Sequence, residues 1–585
     1  MFGKWRGFAR DLWALTRPYW FSEERWVARG LLAVIVALNL GLVYLLVILN
    51  QWNNLFYNAL QEKNFDAFAH QLLRFAWIAA AYIAIAVYSL YLRQMLEIRW
   101  RRWLTEHFIG RWLASQTYYR LQLQGSTTDN PDQRIAQDIS LFVQQTLAIS
   151  LDLLSNTVTL FSFLTILWGL SGALTIPLGS HSLEIPGYMF WVALVYSAIG
   201  TWITHKVARP LVRINNQMQR FEADFRYALV RLRENAEGVA LYGGEADEAK
   251  GLAGRFGAII GNWREYMRFT KRYTWFSNGF GQVAEIFPIL VAAPRFFAGA
   301  IQLGGLMQTA SAFGRVQGAM SWFVNNYDTM ASWKATVDRL TGFEASMARI
   351  AGEPGGIRRH PSPQPAITVD GVDVQLPDER PLIAAANLSI EPGQSVLITG
   401  PSGSGKSTLF RVLGGLWPFG RGAVAVPAGT RSLFLPQRPY LPLGRLRDTV
   451  TYPGLTVPAS DDEIREVLGA CQLGQLAGRL EESANWAQRL SPGEQQRLAI
   501  ARALLQKPDW LFLDEAASAL DETSETALYR LLKQRLPRTT IVSIAHRGSL
   551  AGFHDRRVEI RQSEDGIGHL AEAPAPASGP ARITA

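Results

Sequence analysis

The residues best suited to chemistry lie at 396–407, which read VLITGPSGSGKS. An apolar run, 396–399, enters a glycine-rich turn. Gly400, Gly405, Lys406 and Ser407 then fit G-x-x-x-x-G-K-[ST], with Leu409, Phe410, Val412 and Leu413 on the helix expected to follow. Such a loop must wrap closely round phosphate oxygens with its N–H groups turned inward, which is why it needs glycines. The helix N-terminus adds a field that favours anions. Lys406 is placed to reach the β- and γ-phosphates of a nucleotide and the Ser407 hydroxyl to ligate Mg²⁺. Ser402, Gly403, Ser404 and Thr408 complete the candidate cradle for ATP. A chance glycine-rich turn is the bland alternative, and the strand-turn-helix context speaks against it. A second apolar run, WLFL at 510–513, ends in Asp514 and Glu515. An acid at the end of a buried strand beside a phosphate loop is where Mg²⁺ is held, which is the role of Asp514. Glu515 is then the candidate general base for the attacking water.

The elements that must position these groups occupy only part of the 585 residues. Residues 366–570 read as a soluble α/β domain, whereas 1–345 carry long apolar runs. The glycine- and proline-rich stretch 346–365 reads as a linker, and 571–585 as a disordered tail. Runs at 31–49, 75–92, 149–170, 188–203 and 275–297, with a weaker one at 304–330, suggest six membrane spans. Arg99, Arg101, Arg102 and Arg111 follow the second, Lys206, Arg209, Arg213 and Arg220 the fourth, and Lys334 and Arg339 the sixth. The positive-inside rule then puts both termini in the cytoplasm. Charged stretches with helical spacing, 93–148 and 206–273, read as spans continuing out of the bilayer as long helices. Turn residues at 125–132 and 242–248 mark their tips, expected to touch nucleotide domains. The segment 11–19 reads as an amphipathic elbow on the membrane surface. A net charge of +9 could suggest nucleic acid, but much of it flanks apolar segments, so no nucleic-acid partner is expected. The single cysteine, Cys471, excludes an intrachain disulfide and a cysteine-based metal site.

With those residues in place, LSPGEQQR at 490–497 resembles the signature of ATP-binding cassette proteins, with Pro492 where glycine is usual. The resemblance implies that Ser491 and Gly493 cap the γ-phosphate held by a second subunit. It also implies that Gln437 in FLPQRPY is the Q-loop glutamine at the metal and the attacking water, that Asp521 in SALD belongs to the D-loop, and that His546 in SIAHR is the switch histidine. The position where relatives stack adenine on an aromatic ring falls on Leu376. The runs 407–418 and 435–453 are similar to peroxisomal acyl-CoA half-transporters. RPYWFSEERWVA, NQWNNLFYNALQ, DNPDQRIAQDI and AFGRVQGAMSWF are similar to bacterial proteins that fuse a BacA/SbmA-type membrane domain to a cassette.

The expected fold is therefore a polytopic α-helical membrane domain, six spans and exporter-like with long cytoplasmic helices, plus an α/β P-loop nucleotide-binding domain. The implied protein is a homodimeric half-transporter in a bacterial inner membrane. It hydrolyses ATP with Mg²⁺ to move bulky hydrophilic solutes such as peptides, and the resemblance implies uptake as the direction. An exporter of lipid or acyl-CoA, and an ATP-gated channel or sensor, are the alternatives. Polar residues in the spans favour a hydrophilic cargo. Asp152, Glu285, Gln308, Arg315 and Asn326 are costly at bilayer depth unless they meet a partner or a wet cavity. They are expected to line such a cavity, with Arg315 as the cation nearest Glu285.

Overall fold

The computed structural model describes residues 2–123, 130–178, 181–352, 355–455, 458–545 and 548–573. Two compact units share the chain. One comprises Met1–Arg111 and Thr128–Ala345, the other Trp112–Thr127 and Ser346–Ala585.

In the first unit the first five apolar runs each lie on one helix, and the sixth, 304–330, crosses from Leu303–Asn325 into Tyr327–Gly352. The helices are Arg25–Gln61, Phe65–Leu113, Ile139–Ser171, Tyr188–Glu234, Glu245–Phe297 and Leu303–Asn325. Among the described residues four stretches are long and apolar enough to cross a membrane: Arg25–Gln61, Phe65–Leu123, Pro131–Ser171 and Glu245–Phe297. The helices carrying the expected fourth and sixth spans do not reach that measure. Thr201, Thr204 and His205 dilute one of them, and Gln308, Arg315 and Gln317 the other. Several helices run far beyond a bilayer's width, since a helix rises about 1.5 Å per residue and Glu245–Phe297 has 53 residues. Gly243, at φ +64°, ends the short helix Ala236–Tyr242 at the expected second tip. A further break at Asn235 was not foreseen. Of the first tip only 130–132 lie within the described residues.

Aromatic packing holds four of these helices together. Phe163, Leu167, Met189, Ala193, Phe313 and Val316 form one buried cluster. Tyr196 stacks on Phe280 at 4.4 Å and on Phe287 at 4.9 Å. A polar clasp joins the end of Arg25–Gln61 to the start of Leu303–Asn325. Asn54 Nδ2 donates to Gln308 Oε1 at 2.7 Å, and Asn50 Nδ2 to the Gln308 carbonyl at 3.0 Å. Asn58 Oδ1 and Gln61 Oε1 accept from the backbone N–H groups of Gly304 and Leu303, which lie in a helix's first turn and have no partner within it. Elsewhere in this unit, Asp138 is clamped by Arg134 at 2.5 Å and Arg339 at 2.7 Å, its side chain 2 % exposed.

The second unit is built on a ten-stranded sheet. Its parallel part runs, in spatial order, Arg556–Gln562, Val396–Thr399, Thr540–Ile544, Trp510–Asp514 and Ser432–Leu435. The central three strands are nearly all apolar, as strands covered on both faces must be. Gly420–Pro427, Ile367–Gln375 and Pro381–Ile390 pair antiparallel on the other side. Two corrections to the expected boundaries follow. The presumed linker carries the end of the helix Tyr327–Gly352 and the strand Ile357–Ser362, which pairs with Gly420–Pro427. The strand Gly568–Ala573 enters the presumed tail because it pairs with Arg556–Gln562. Backbone pairing overrides a proline- and glycine-rich composition in the first case.

Beneath the sheet lies a buried polar chain that the sequence does not advertise. Tyr529 Oη donates to Ser543 Oγ at 3.2 Å, which lies 2.8 Å from His554 Nε2. His554 Nδ1 is 2.8 Å from the Leu550 carbonyl and donates to it. Burial pushes the His554 imidazole down to about 4. A histidine kept neutral in the folded state binds fewer protons than the unfolded chain between that value and about 6.5. Its stabilising effect is complete above pH 6.5 and fades as pH falls toward 4. We expect His554→Gln to flatten the acid destabilisation of the cassette over that window, by roughly 3 kcal/mol at its lower end. Melting temperatures of both proteins from pH 7.5 to 4 check this; parallel curves contradict it.

Candidate active site: a phosphate loop, an acid pair and a buried glutamine

Parallel pairing aligns the strand ends that carry the candidate residues. Ile544 is opposite both Asp514 and Ile398, so the phosphate loop, the acid pair and the segment after Ile544 emerge at one edge of the sheet. This is where open α/β sheets place their ligands.

The loop glycines are needed where they stand. Gly400 has φ +152°, and a Cβ there would lie 2.8 Å from the Ile560 carbonyl oxygen. Gly405 has φ +94°, and its Cβ would lie 3.0 Å from Leu382 Cγ. The helix Lys406–Leu413 starts directly after it. Lys406 is 6 % exposed, and its Nζ donates to the Gly400 and Pro401 carbonyls at 2.9 and 2.7 Å. Burial lowers its pKa, opposed by the charges of Glu515 and Asp514.

Ser407 Oγ donates to Asp514 Oδ1 at 3.2 Å. Burial raises the Asp514 carboxyl above its ordinary range, and the Ser407 hydrogen bond only partly offsets this. A hydroxyl and a carboxylate oxygen converging here are the hard donors that Mg²⁺ takes when nucleotide phosphates supply the rest. The pair fits the ion. No cluster of three or more acids, histidines or cysteines suited to a metal occurs among the described residues, and a nucleotide-borne Mg²⁺ needs none.

Glu515 follows at φ +49°, a left-handed conformation that is costly for a residue with a side chain. Gln437 Nε2 donates to Glu515 Oε2 at 2.9 Å. The described contacts thus bring Gln437 to Glu515, the candidate general base, rather than to the Ser407–Asp514 pair. His546 lies outside the described residues.

One organiser was missed. Gln496, 3 % exposed, donates to the Gln437 carbonyl at 3.0 Å and accepts from the Ala519 N–H at 2.9 Å. Its Nε2 also lies 3.4 Å from the Glu515 carbonyl oxygen and from Ser518 Oγ. One amide therefore ties together the loops of Gln437, Glu515 and Asp521. The signal was present: Gln496 shares a helix face with the buried Ala499, Ile500 and Ala503, and a polar side chain on an apolar face needs partners.

Ser491 caps the helix Pro492–Gln506 in a reciprocal box with Glu494. Pro492 stands at its first position, where a missing N–H costs nothing, so the departure from glycine is harmless. Gly493 lies against Leu520, which a Cβ would approach to 3.0 Å. Asp521 accepts from the Ser524 N–H and caps Glu522–Arg535. The described hydrogen bonds of Ser491 and Asp521 stay within their own turns and do not reach the phosphate loop. Leu376 packs against the core just after Ile367–Gln375, while Leu382 and Ile383 on the next strand are the side chains that a Cβ at Gly405 would meet.

The expected cavity set divides. Asp152, Glu285 and Arg315 are exposed on their helices. No ion pair joins Glu285 to Arg315, so the expected partnership is not made within the chain. Gln308 is corrected: it is 6 % exposed and spent in the clasp with Asn50 and Asn54. Asn326 sits at the break after Leu303–Asn325 and donates back to the Trp322 carbonyl at 3.0 Å.

Comparison with known proteins agrees with this geometry. Residues 15–297 match the family model "ABC transporter transmembrane region 2", and 383–518 match "ABC transporter". The chain is 34 % identical over 549 residues to "Inner membrane ABC transporter ATP-binding protein YddA" of Escherichia coli, covering 93 % of this chain and 96 % of that one. The chain belongs to the ABC transporter family. It is also 29 % identical to the mouse "Lysosomal cobalamin transporter ABCD4", covering 92 % and 91 % of the two chains. Its fold is that of the structure titled "Structure of a bacterial Atm1-family ABC exporter with ATP bound", at a TM-score of 0.73, 17 % identity and coverage of 93 % and 96 %. The transporter is thus a half-transporter whose cassette hydrolyses ATP, with Mg²⁺, to drive transport across a membrane.

Two outcomes are expected at this site. Glu515→Gln keeps nucleotide affinity but slows hydrolysis at least ~100-fold, the scale of a lost general base; phosphate release at saturating ATP measures it, and an unaltered rate contradicts the assignment. Gln496→Leu leaves the Ala519 N–H and Gln437 carbonyl buried without partners, at about 1–3 kcal/mol each. It should lower both the melting temperature and the ATPase rate; unchanged values of both contradict its organising role.

Proposed function

We propose that two copies of the chain form the working transporter and that it takes up a bulky hydrophilic solute, of the class of peptides or cobalamin, across a bacterial inner membrane. In this reading all six helices named above cross the bilayer and both termini are cytoplasmic. Lipid surrounds the first unit, and the elbow Phe2–Trp20 lies along the surface.

The observation that carries the cargo reading is the exposure of Asp152, Glu285 and Arg315 on membrane helices, with no ion pair to any of them among the described residues. A charge facing lipid is costly, so such groups face a partner or water. A chamber between two copies gives them water, and an acyl chain would find that lining unfavourable. The relative named as a cobalamin transporter accords with a large polar cargo.

Each chain carries one phosphate loop and one signature turn. Ser491 therefore serves the loop of the second copy. Lys406 and the loop N–H groups hold the phosphates. Ser407 and Asp514 would hold Mg²⁺, which when bound would supply charge neutralisation at the transferring phosphate. Glu515, steadied by Gln437, orients the attacking water and accepts its proton, and His546 keeps the switch role that the resemblance implies. Glu515 and Gln437 form a hydrolytic device that simple gating does not require.

Two measurements test this. Chains carrying Lys406→Ala and Ser491→Arg, each inactive alone, should regain part of the ATPase rate when co-expressed, because the mixed pair contains one intact composite site. No recovery, with the mixed dimer isolated, contradicts the paired arrangement. In proteoliposomes, ATP should drive accumulation of labelled peptide or cobalamin; movement of acyl-CoA alone overturns the cargo reading, and solute flux without hydrolysis makes the protein a channel.

A further inference from the structure

We propose that a small cavity at the break in the last membrane helix is a subsite for a zwitterionic group of the solute. This rests on reading the protein as a carrier of hydrophilic cargo. The cavity, of about 160 Å³, is lined by His205, Arg209, Tyr273, Asn325, Tyr327 and Asp328, with Ala208 and Leu211. These residues come from Tyr188–Glu234, Glu245–Phe297 and both sides of the break between Leu303–Asn325 and Tyr327–Gly352. They stand where the expected fourth and sixth spans end and the fifth begins, on the side of the basic residues Lys206, Arg209 and Lys334. By the positive-inside rule that is the cytoplasmic mouth.

The lining straddles the break. The interruption is confined to Asn326, whose side chain bonds back to the Trp322 carbonyl and whose backbone still bonds to Trp322 at 3.0 Å and to Met330 at 2.9 Å. Asn325, Tyr327 and Asp328, on its two sides, all line the cavity. Broken membrane helices are tolerated where they line a water-filled space, and transporters use them to bind polar cargo.

The charges are the second observation. Arg209 and Asp328 line the same cavity, yet neither makes an ion pair or a side-chain hydrogen bond among the described residues. Their neighbours are engaged. One turn along, Arg213 pairs with Glu265 at 3.5 Å, and Lys206 lies over the Trp202 ring at 4.9 Å. An anion alone would meet Asp328, and a cation alone would meet Arg209. A group with both signs satisfies both. The Arg209 fork suits a carboxylate and Asp328 an ammonium, while Asn325 and the Tyr273 hydroxyl can take the remaining hydrogen bonds. The volume is below the roughly 300–1,000 Å³ typical of sites for whole small molecules. It suits one charged end of a larger solute rather than the whole.

The test uses the full-length protein in lipid nanodiscs and a fluorescent tetra-alanine peptide, once with free termini and once N-acetylated and C-amidated. Anisotropy titrations should show the free peptide binding more tightly. Arg209→Gln and Asp328→Asn should each weaken it about ten-fold, the scale of a lost charge-assisted bond, and leave the capped peptide unaffected. Arg209→Lys keeps the charge but not the fork, and should lose less. Melting temperatures accompany each variant. Equal losses for both peptides, or no loss for either variant, overturn the subsite. If the wild-type protein accumulates cobalamin but binds no free peptide, the subsite falls while the carrier reading stands. If only acyl-CoA moves, the carrier reading itself falls.

Discussion

The chemistry of the cassette depends on a strand register. Ile544 pairs with Asp514 on one side and Ile398 on the other. A shift of one residue would reverse every side chain on a strand and break that row. Because the register holds, the Ser407 hydroxyl meets Asp514, and Glu515 leaves the sheet in a strained turn. Apolar side chains on both faces supply the constraint, with Leu397, Leu511 and Leu513 in one core and Ile398, Phe512 and Ile544 in the other.

Polar groups buried around that row do a different job. Gln496 ties three loops together through one buried amide. The Tyr529–Ser543–His554 chain anchors the strand Thr540–Ile544 from below. Such networks stabilise only when every member is satisfied. In both, the amide, hydroxyls and ring nitrogens named find donors and acceptors in the backbone or in one another.

The membrane unit sorts its polar residues into two kinds. Asn50, Asn54, Asn58 and Gln308 spend their hydrogen bonds holding two helices together. Asp152, Glu285 and Arg315 remain on the surface of the single chain. The first kind is structural and the second is open to solvent, a partner or cargo. Spacing alone could not separate them, because both recur at helical intervals and both look equally costly in an apolar run.

What the sequence by itself determined is the local chemistry. A phosphate loop, an acid pair and a signature turn are contiguous motifs, and contiguous residues fold into their turns with little help from the rest of the chain. Long apolar helices are legible for the same reason, since hydropathy and period are local properties. Tertiary structure decided whatever depends on contact between distant segments. It drew the strand Ile357–Ser362 out of a proline-rich linker through pairing with Gly420–Pro427. It gave Gln496 its partners 59 and 23 residues away, and it withdrew Gln308 from the cavity through Asn54, 254 residues away. It also brought Arg209 and Asp328 to one cavity. A side chain's type shows that it needs a partner; only the folded chain shows which one it has, because the energy of a hydrogen bond or an ion pair depends on distance in space and not on distance in sequence.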